Sequence, residues 1–167
     1  SGMIAGVASG NVVLVTGAGG SIGSELCRQI CKFAPTSLVL VEQAENNLFN
    51  IHRELREKYP DLTVVPVIAD VCDGPRLEWV FDYYRPKVVF HAAAHKHVPL
   101  LEDHPCEAVT TNVLGTRSVV RAAKRTGVER FVFISTDKAV RPVNVMGASK
   151  RLGEQIMLAE SPDDTVC

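Results

Sequence analysis

The sequence predicts an α/β fold in which helices flank a parallel sheet. Short β-branched apolar runs alternate with amphipathic helical patterns along the 167 residues, and the connections between them are short. This alternation favours right-handed βαβ crossovers. A glycine-rich turn follows the first apolar run and opens the first helical pattern. Together these observations indicate a Rossmann-like parallel sheet, truncated after about five to six strands.

Each predicted strand is a short apolar run, and each predicted helix has apolar residues at intervals of three and four. The strands are expected at 12–15, 38–41, 63–68, 88–90 and 131–134, and a sixth is expected to begin at 165–167. The helices are expected at 21–33, 46–59, 75–84, 104–126 and 146–160. Pro75 fits the first turn of the third helix, and Gly127 fits the end of the fourth.

The composition is that of an ordinary globular domain, with a formal net charge of −1 and an apolar content of 46%. The charge argues against a nucleic-acid partner, and no apolar run approaches the roughly 18 residues of a membrane span. Ser1-Gly2 resembles a cloning scar, so residues 1–10 are interpreted as scar and leader and 11–167 as the dinucleotide-binding domain. The five cysteines include no C-x-x-C pair, which favours free thiols and a cytoplasmic location.

The segment from Thr16 to Gly23 has the pattern of a phosphate-binding turn. Gly17, Gly20 and Gly23 recur at intervals of three between the first strand and the first helix. They allow, in that order, a tight turn, a close approach of the backbone to a diphosphate, and close packing of helix on sheet. The helix start adds free N–H groups and the positive end of the helix dipole. The predicted cofactor-binding residues of this turn are Gly17, Gly19, Gly20, Ser21, Ile22 and Gly23.

A carboxylate at the end of the second strand predicts which dinucleotide binds. Glu42 lies about 20 residues beyond the glycine turn, where a carboxylate accepts hydrogen bonds from a ribose diol and repels a 2′-phosphate. The alternative is a solvated glutamate at a strand end. The sequence thus favours NAD over NADP as the cofactor. Asp70 and Val71 follow the third strand, where a side chain can meet the adenine.

Several segments resemble one superfamily of enzymes. Thr16 to Gly23, His91-Ala92-Ala93-Ala94 and Asn112 resemble the nucleotide-binding loop, the cofactor-side segment and the helix asparagine of the extended short-chain dehydrogenase/reductases. HAAAHKHVP at 91–99 and STDKAVRPVNVMGASKR at 135–151 are similar to its polysaccharide-biosynthesis branch, the nucleoside-diphosphate-sugar 4,6-dehydratases and related epimerases. The resemblance covers nearly all residues from 11 to 158.

This resemblance implies an activity on nucleotide sugars. Enzymes of the branch hold NAD or NADP, move a hydride from sugar C4 to the nicotinamide, remove the C5 proton and the C6 hydroxyl, and return the hydride to C6. The implied substrate is similar to UDP-N-acetylglucosamine, and the product is a 4-keto-6-deoxy sugar for bacterial surface polysaccharide. The resemblance also implies cofactor contacts by Ala92, Ala93, Ala94, Asn112 and Lys96, of which Lys96 faces cofactor or sugar.

Three expected catalytic residues follow the fifth strand, where parallel sheets bind ligands. In this interpretation Thr136 hydrogen-bonds the 4-oxygen and Asp137 protonates the departing C6 hydroxyl. Lys138 takes the C5 proton if burial or Lys150 lowers its pKa, and the opposite roles stay open. The alternative is a Thr-Asp cap or turn followed by an exposed lysine.

Lys150 occupies the lysine position of the superfamily's Tyr-x-x-x-Lys pair, and its partner one helical turn earlier is Met146. The resemblance implies that Lys150 holds the nicotinamide ribose. Methionine neither donates nor accepts a proton, and it is typical of a methionine-bearing subclass of the sugar dehydratases. The base for the C4 hydroxyl therefore stays open among Asp137, Lys138 and a water molecule.

Two other functions stay open beside the dehydratase. One is a UDP-sugar 4-epimerase, and the other is a non-catalytic relative that binds a nucleotide and associates through its two long late helices. A homo-oligomer is expected, and no metal site, because His91, His95 and His97 lack a completing ligand set. The resemblance implies a C-terminal substrate-binding part after the helix that contains Lys150 and, in many relatives, N-terminal membrane helices. We expect that part to be absent here and the chain alone to be inactive.

Overall fold

The computed structural model describes residues 6–160, which form a five-stranded parallel sheet with the strand order β3-β2-β1-β4-β5. The strands are β1 (Val12–Thr16), β2 (Ser37–Glu42), β3 (Val64–Ile68), β4 (Val88–His91) and β5 (Arg130–Phe133). The predicted Rossmann-like α/β fold is therefore confirmed. The strand predicted at 165–167 lies outside the described residues.

The order of the strands reverses beside β1, at the centre of the sheet. Val13 of β1 lies opposite Leu38 of β2 on one side and opposite Val88 of β4 on the other. The chain runs outward from β1 through β2 to β3, and then returns to β4 and β5 on the opposite side. Connections leave the carboxyl ends of β1 and β4 toward opposite faces, and this arrangement opens a crevice there.

The central strands are buried on both faces, which explains their continuous apolar sequence. Successive side chains of β1 point to opposite faces. Leu14 packs in one layer with residues of the helices that follow β3 and β4, whereas Val13 packs in the other layer with Ile30. Ala8, within the segment interpreted as scar and leader, is also fully buried in this second layer.

The helices cover both faces of the sheet. Besides a helical turn at 6–8, they are α1 (Ser21–Cys31), α2 (Glu45–Lys58), α3 (Gly74–Tyr84), α4 (Val98–Asp103), α5 (Pro105–Ala108), α6 (Thr116–Thr126) and α7 (Val145–Glu160). A π-helical turn, Val109–Gly115, joins α5 to α6, and a 3₁₀ turn, Asp137–Ala139, precedes α7. None of these described helices has the length and apolar character needed to cross a bilayer.

The predicted helices and strands are found close to their expected positions, with two differences. The helix expected at 104–126 is widened in its middle into the π-helical turn, where the Thr116 hydroxyl donates to the carbonyl oxygen of Asn112. Helix α4 was not expected, because it has only six residues and a proline at its start. Its Glu102 carboxylate accepts a hydrogen bond from the Val145 N–H at 2.6 Å, so this short helix fixes the start of α7.

Candidate cofactor and active site

A groove lies at the carboxyl ends of β1, β2 and β4, where the strand order reverses. Its volume is about 250 Å³. Eight predicted cofactor-binding residues from four segments line it: Gly17, Gly20, Glu42, Asp70, Val71, Ala92, Ala93 and Ala94. The structure therefore gathers these residues at one place, while their contact with a cofactor stays a prediction.

The glycine turn excludes side chains at two of its three spaced glycines. Gly17 has a φ of +65°, and a Cβ there would lie 2.7 Å from the Ala93 backbone. A Cβ at Gly23 would lie 2.0 Å from the Gly17 carbonyl oxygen. At Gly20 the nearest atom beyond the chain neighbours would be that same oxygen, at 3.3 Å. The protein itself thus leaves Gly20 open on the groove side, as the approach of a diphosphate requires.

The start of α1 lies at this opening and has backbone N–H groups that are not used as hydrogen-bond donors within the helix. Gly20 is the N-cap of α1 and supplies no side-chain hydrogen bond, so N–H groups of the first turn remain available to an anion. Ser21 and Ile22 are exposed there. The Nζ of Lys96 lies 3.5 Å from the Ser21 Oγ and adds a positive charge beside the helix start. This end of the groove is therefore suited to phosphate.

Glu42 is tied to the glycine turn by hydrogen bonds. Its Oε2 accepts the Gly19 N–H and its Oε1 accepts the Ala44 N–H, both at 3.0 Å. The residue is 9% exposed and lines the groove. A carboxylate offers about four acceptor positions, so two remain for a ribose diol. Glu42 thus orders the turn and still presents acceptors to the groove.

Seven lining residues were not predicted from the sequence to bind the cofactor: Val41, Gln43, Ala44, Asn47, Ala69, His95 and Thr111. Asn47 lies in the first turn of α2, and a Cβ at Gly19 would lie 2.6 Å from its Cβ. The available signal was a polar residue in the helical turn that follows Glu42. Thr111 directly precedes Asn112 in the π-helical turn, which the sequence pattern did not reveal.

Asn112 is buried, with 1% exposure, and its side-chain bonds are made to the protein. The amide oxygen accepts the His95 N–H at 2.8 Å, and the amide nitrogen donates to the His95 carbonyl at 3.0 Å and to the Ser149 Oγ at 2.9 Å. Asn112 therefore holds the segment after β4 against α7. Its predicted direct contact with the cofactor stays a prediction.

Lys150 and Met146 lie on the buried side of α7. The Nζ of Lys150 donates to the Ile134 carbonyl and lies 4.1 Å from the centre of the Phe133 ring. Burial lowers the pKa of Lys150 to about 8, because desolvation disfavours the ammonium. Met146 packs in an apolar cluster with Leu101. The Lys150 side chain is thus fixed by its contacts with Ile134 and Phe133, and the Met146 side chain is part of an apolar cluster.

The Thr136-Asp137-Lys138 run lies after β5 and is far more open. The Thr136 hydroxyl donates to the Asp137 carboxylate at 3.0 Å, and the Lys138 Nζ lies 3.7 Å from that carboxylate. The Thr136 hydrogen bond and the charge of Lys138 lower the pKa of Asp137. The side chains of Asp137 and Lys138 are 90% and 51% exposed, so the burial invoked for a basic Lys138 is absent from the described structure.

Gly147 accounts for how closely this run approaches α7. A Cβ there would lie 2.4 Å from the Lys138 carbonyl oxygen, so only glycine permits the contact. The importance of this glycine was not predicted from the sequence, although it directly follows Met146. The contact places the exposed run at the start of the helix that carries Lys150.

A second cavity, of about 370 Å³, shares His95 with the groove. Its other lining residues are Lys96, His97, Leu100, Leu101, His104 and Glu107. Three of these side chains, His95, Lys96 and His97, belong to the segment 91–99 whose sequence resembles the sugar-modifying branch, and the others add apolar, basic and acidic groups. Within residues 6–160, no three His, Cys, Asp or Glu side chains are arranged to hold a metal ion.

The fold and the groove define a Rossmann-like nucleotide-binding domain of the extended short-chain dehydrogenase/reductase type. The chain belongs to the polysaccharide biosynthesis protein family, which it matches over residues 13–165. It is 51% identical over 154 residues to the capsular polysaccharide biosynthesis protein CapD of Staphylococcus aureus, covering 92% of this chain and 26% of CapD. These matches confirm the predicted family.

Two further relatives extend the comparison. The chain is 32% identical over 155 residues to the UDP-N-acetylglucosamine 4,6-dehydratase (inverting) of Campylobacter jejuni, covering 90% of this chain and 44% of that enzyme. The fold matches the Bordetella bronchiseptica enzyme WbmG, solved in complex with NAD, with a TM-score of 0.79 at 24% identity over 95% of this chain and 52% of WbmG. The chain thus spans between about a quarter and a half of these proteins.

Proposed function

We propose that this chain is the NAD-binding part of a nucleotide-sugar 4,6-dehydratase that acts on UDP-N-acetylglucosamine or a close analogue. One observation carries the proposal: the groove joins an open glycine backbone at Gly20 to a carboxylate at Glu42. The first fits a diphosphate, and the second fits the ribose diol of NAD and repels the extra phosphate of NADP. The similarity to CapD and to the dehydratase supports the role in polysaccharide synthesis.

Bound NAD supplies the acceptor and donor for a hydride, and the protein supplies position and charge. The first N–H groups of α1 and the nearby Lys96 bind the diphosphate. The carboxylate of Glu42 accepts the ribose hydroxyls. The ammonium of Lys150, fixed by the Ile134 carbonyl and the Phe133 ring, would hold the second ribose.

The exposed run after β5 favours elimination over simple epimerisation. Loss of water from C5 and C6 needs a group that takes a proton and a group that gives one, whereas inversion at C4 needs neither at C5 or C6. Asp137 and Lys138 place two such groups 3.7 Å apart. Met146 is buried and without a titratable group, so the C4 base remains among Asp137, Lys138 and a water molecule.

A turnover experiment in D₂O tests the dehydratase and separates it from the epimerase. Because the chain alone is expected to be inactive, it is incubated with NAD and UDP-N-acetylglucosamine beside a longer protein that carries the substrate-binding part, and the product of each is examined by mass spectrometry and NMR. A dehydratase gives a 4-keto product that has lost one water and carries a solvent deuterium at C5. An epimerase gives an isomer of unchanged mass without that deuterium.

Variants assign the chemistry to the exposed run. In the longer protein, Asp137→Asn and Lys138→Met are expected to abolish product while NAD binding, followed by calorimetry, persists. Lys124→Met is the matched control, since this exposed lysine of α6 pairs with Glu160, the last residue of α7. An isomer without deuterium would contradict the dehydratase. NAD binding without product is the result expected of this chain alone, and NAD binding without product in the longer protein would contradict the dehydratase.

A further inference from the structure

Five buried polar residues connect the glycine turn to α7, and we call them the His91 network: Thr16, His91, Asn112, Thr116 and Ser149. Each is at most 3% exposed. The network begins at the last residue of β1 and reaches α7 directly before Lys150. Among the described side chains, no buried nitrogen or oxygen lacks a hydrogen-bond partner. Its proton positions can therefore be worked out from the distances.

The Thr116 hydroxyl fixes the proton on one ring nitrogen of His91. Its Oγ1 lies 2.7 Å from the Asn112 carbonyl oxygen, and two oxygens approach so closely only with a hydrogen between them. The hydroxyl therefore donates to that carbonyl. It has no second hydrogen, so it accepts from the His91 Nε2 at 3.0 Å. His91 consequently carries a proton on Nε2.

The other ring nitrogen of His91 is an acceptor. The Thr16 Oγ1 lies 2.6 Å from the His91 Nδ1, and it already accepts the Ala93 N–H at 3.3 Å. The Thr16 hydroxyl then donates to Nδ1. Full burial and the positive charge of Lys150 lower the pKa of His91 to about 3, so the ring is neutral. The neutral Nε2–H form satisfies every hydrogen bond of the ring.

The two ends of the network hold two different parts of the site. At one end Thr16 holds Ala93, whose backbone touches the Gly17 turn. At the other end Asn112 binds the Ser149 Oγ, which in turn donates to the Met146 carbonyl at 2.7 Å. His91 itself is fully buried and does not line the groove.

We propose that His91 is a positioning residue that couples the shape of the dinucleotide groove to the helix that carries Met146 and Lys150. A change at Thr116, on the α6 side of the network, is then expected to alter dinucleotide affinity, although Thr116 does not line the groove. The inference deepens the proposed function and rests on it.

Thr116→Val tests the coupling, because it removes the hydroxyl and keeps the shape at a residue that does not line the groove. The His91 Nε2–H loses its acceptor and becomes an unpaired buried donor, while the Thr16 hydroxyl still donates to Nδ1. ¹⁵N NMR of the histidine rings is expected to report the Nε2–H form in the wild type and a shifted Nε2–H resonance, without its hydrogen bond, in the variant. NAD affinity is expected to fall about fivefold to tenfold, as for a lost buried hydrogen bond. Thr116→Ser is expected to restore both.

Thr126→Val is the matched control on the same helix. Its hydroxyl also donates to a carbonyl four residues earlier, that of Ala122 at 2.9 Å, but it lies outside the His91 network. We expect this variant to keep the tautomer and the affinity of the wild type. Melting temperatures of all variants identify any loss of fold. A wild-type Nδ1–H or cationic ring, or equal losses of affinity in both valine variants, would overturn the inference.

A second readout keeps the inference separate from the proposed function. If the wild-type chain binds no NAD, the proposed function fails, and the network is then tested by amide NMR without ligand. Thr116→Val is expected to shift the Ala93 and Gly17 amide resonances, and Thr126→Val is not. Unchanged resonances in Thr116→Val would contradict the coupling whether or not NAD binds.

Discussion

Alanine substitutions separate the demands that the spaced glycines meet. Gly23→Ala places a Cβ 2.0 Å from the Gly17 carbonyl oxygen, and that oxygen belongs to the turn itself, so relief requires a new backbone path. Gly20→Ala places a Cβ 3.3 Å from the same oxygen, which a shift of a few tenths of an ångström relieves. The φ of −72° at Gly20 suits alanine equally well. Gly23→Ala should therefore mainly lower the stability of the fold, whereas Gly20→Ala should mainly weaken binding in the groove.

The expected loss of stability is larger for Gly23→Ala than for Gly20→Ala. For Gly23→Ala the clash costs about 3 kcal/mol of unfolding free energy, and the better helix propensity of alanine returns about 1. The melting temperature then falls by roughly 4–8 °C. For Gly20→Ala the lost preference at the helix N-cap costs about 1 kcal/mol, so the fall is roughly 2–4 °C.

Gly20→Ala should reduce the free energy of NAD binding by more than it reduces the free energy of unfolding. Because Gly20 lines the groove, its added methyl group is expected to hold a diphosphate away from the first N–H groups of α1. Losing one charge-assisted hydrogen bond weakens NAD binding by about 1.5–3 kcal/mol, which is at least about tenfold. Thermal melts and calorimetry on the same samples measure both effects. Gly74→Ala, where a Cβ would meet nothing within 4 Å, is the control. Wild-type affinity in Gly20→Ala would refute the reasoning.

Two more predictions follow from the charged residues. Glu42→Ala is expected to reduce the preference for NAD over NADP, because it removes the carboxylate that repels the 2′-phosphate. Calorimetry with both nucleotides measures the difference between the two affinities. An unchanged difference would contradict this role of Glu42. Burial lowers the pKa of Lys150 from 10.5 to about 8, so between these values the unfolded chain binds more protons than the folded one. Relative to Lys150→Met, the unfolding free energy of the wild type is expected to rise by roughly 3 kcal/mol from pH 8 to 10.5, as urea titrations would show. A constant difference would contradict a buried ammonium.

The parts of the site that were predictable are those where the backbone dictates the residue. The turn at Gly17 needs a positive φ, and the 2.0 Å approach at Gly23 leaves no room for a Cβ, so both positions show in the sequence as glycine. Glu42 was predictable because a strand end followed by a helix fixes where its side chain points. The fold and the position of the groove could therefore be predicted from local sequence patterns alone.

The parts that escaped prediction depend on contacts between distant residues. The π-helical turn at Val109–Gly115 has no periodic signature, and its Asn112 bonds to the segment after β4. Helix α4 is held by Glu102 at the start of α7, a pairing invisible to local propensity. The exposure of Lys138 likewise depends on which elements pack over it, and no sequence period reports that.

The contrast between Lys150 and Asp137 bears on the acid–base chemistry. Lys150 is buried with its pKa lowered toward neutrality, whereas Asp137 is exposed with its pKa lowered, so the free chain presents an ionised carboxylate. A carboxyl group that gives a proton to a leaving hydroxyl needs a raised pKa, and the environment around Asp137 produces the opposite. The desolvation that reverses this shift must come from whatever covers the run when sugar is bound. The basic limbs of kcat and kcat/KM, where the acid loses its proton, are therefore expected to report two different states of Asp137, and the limb of kcat is expected at the higher pH.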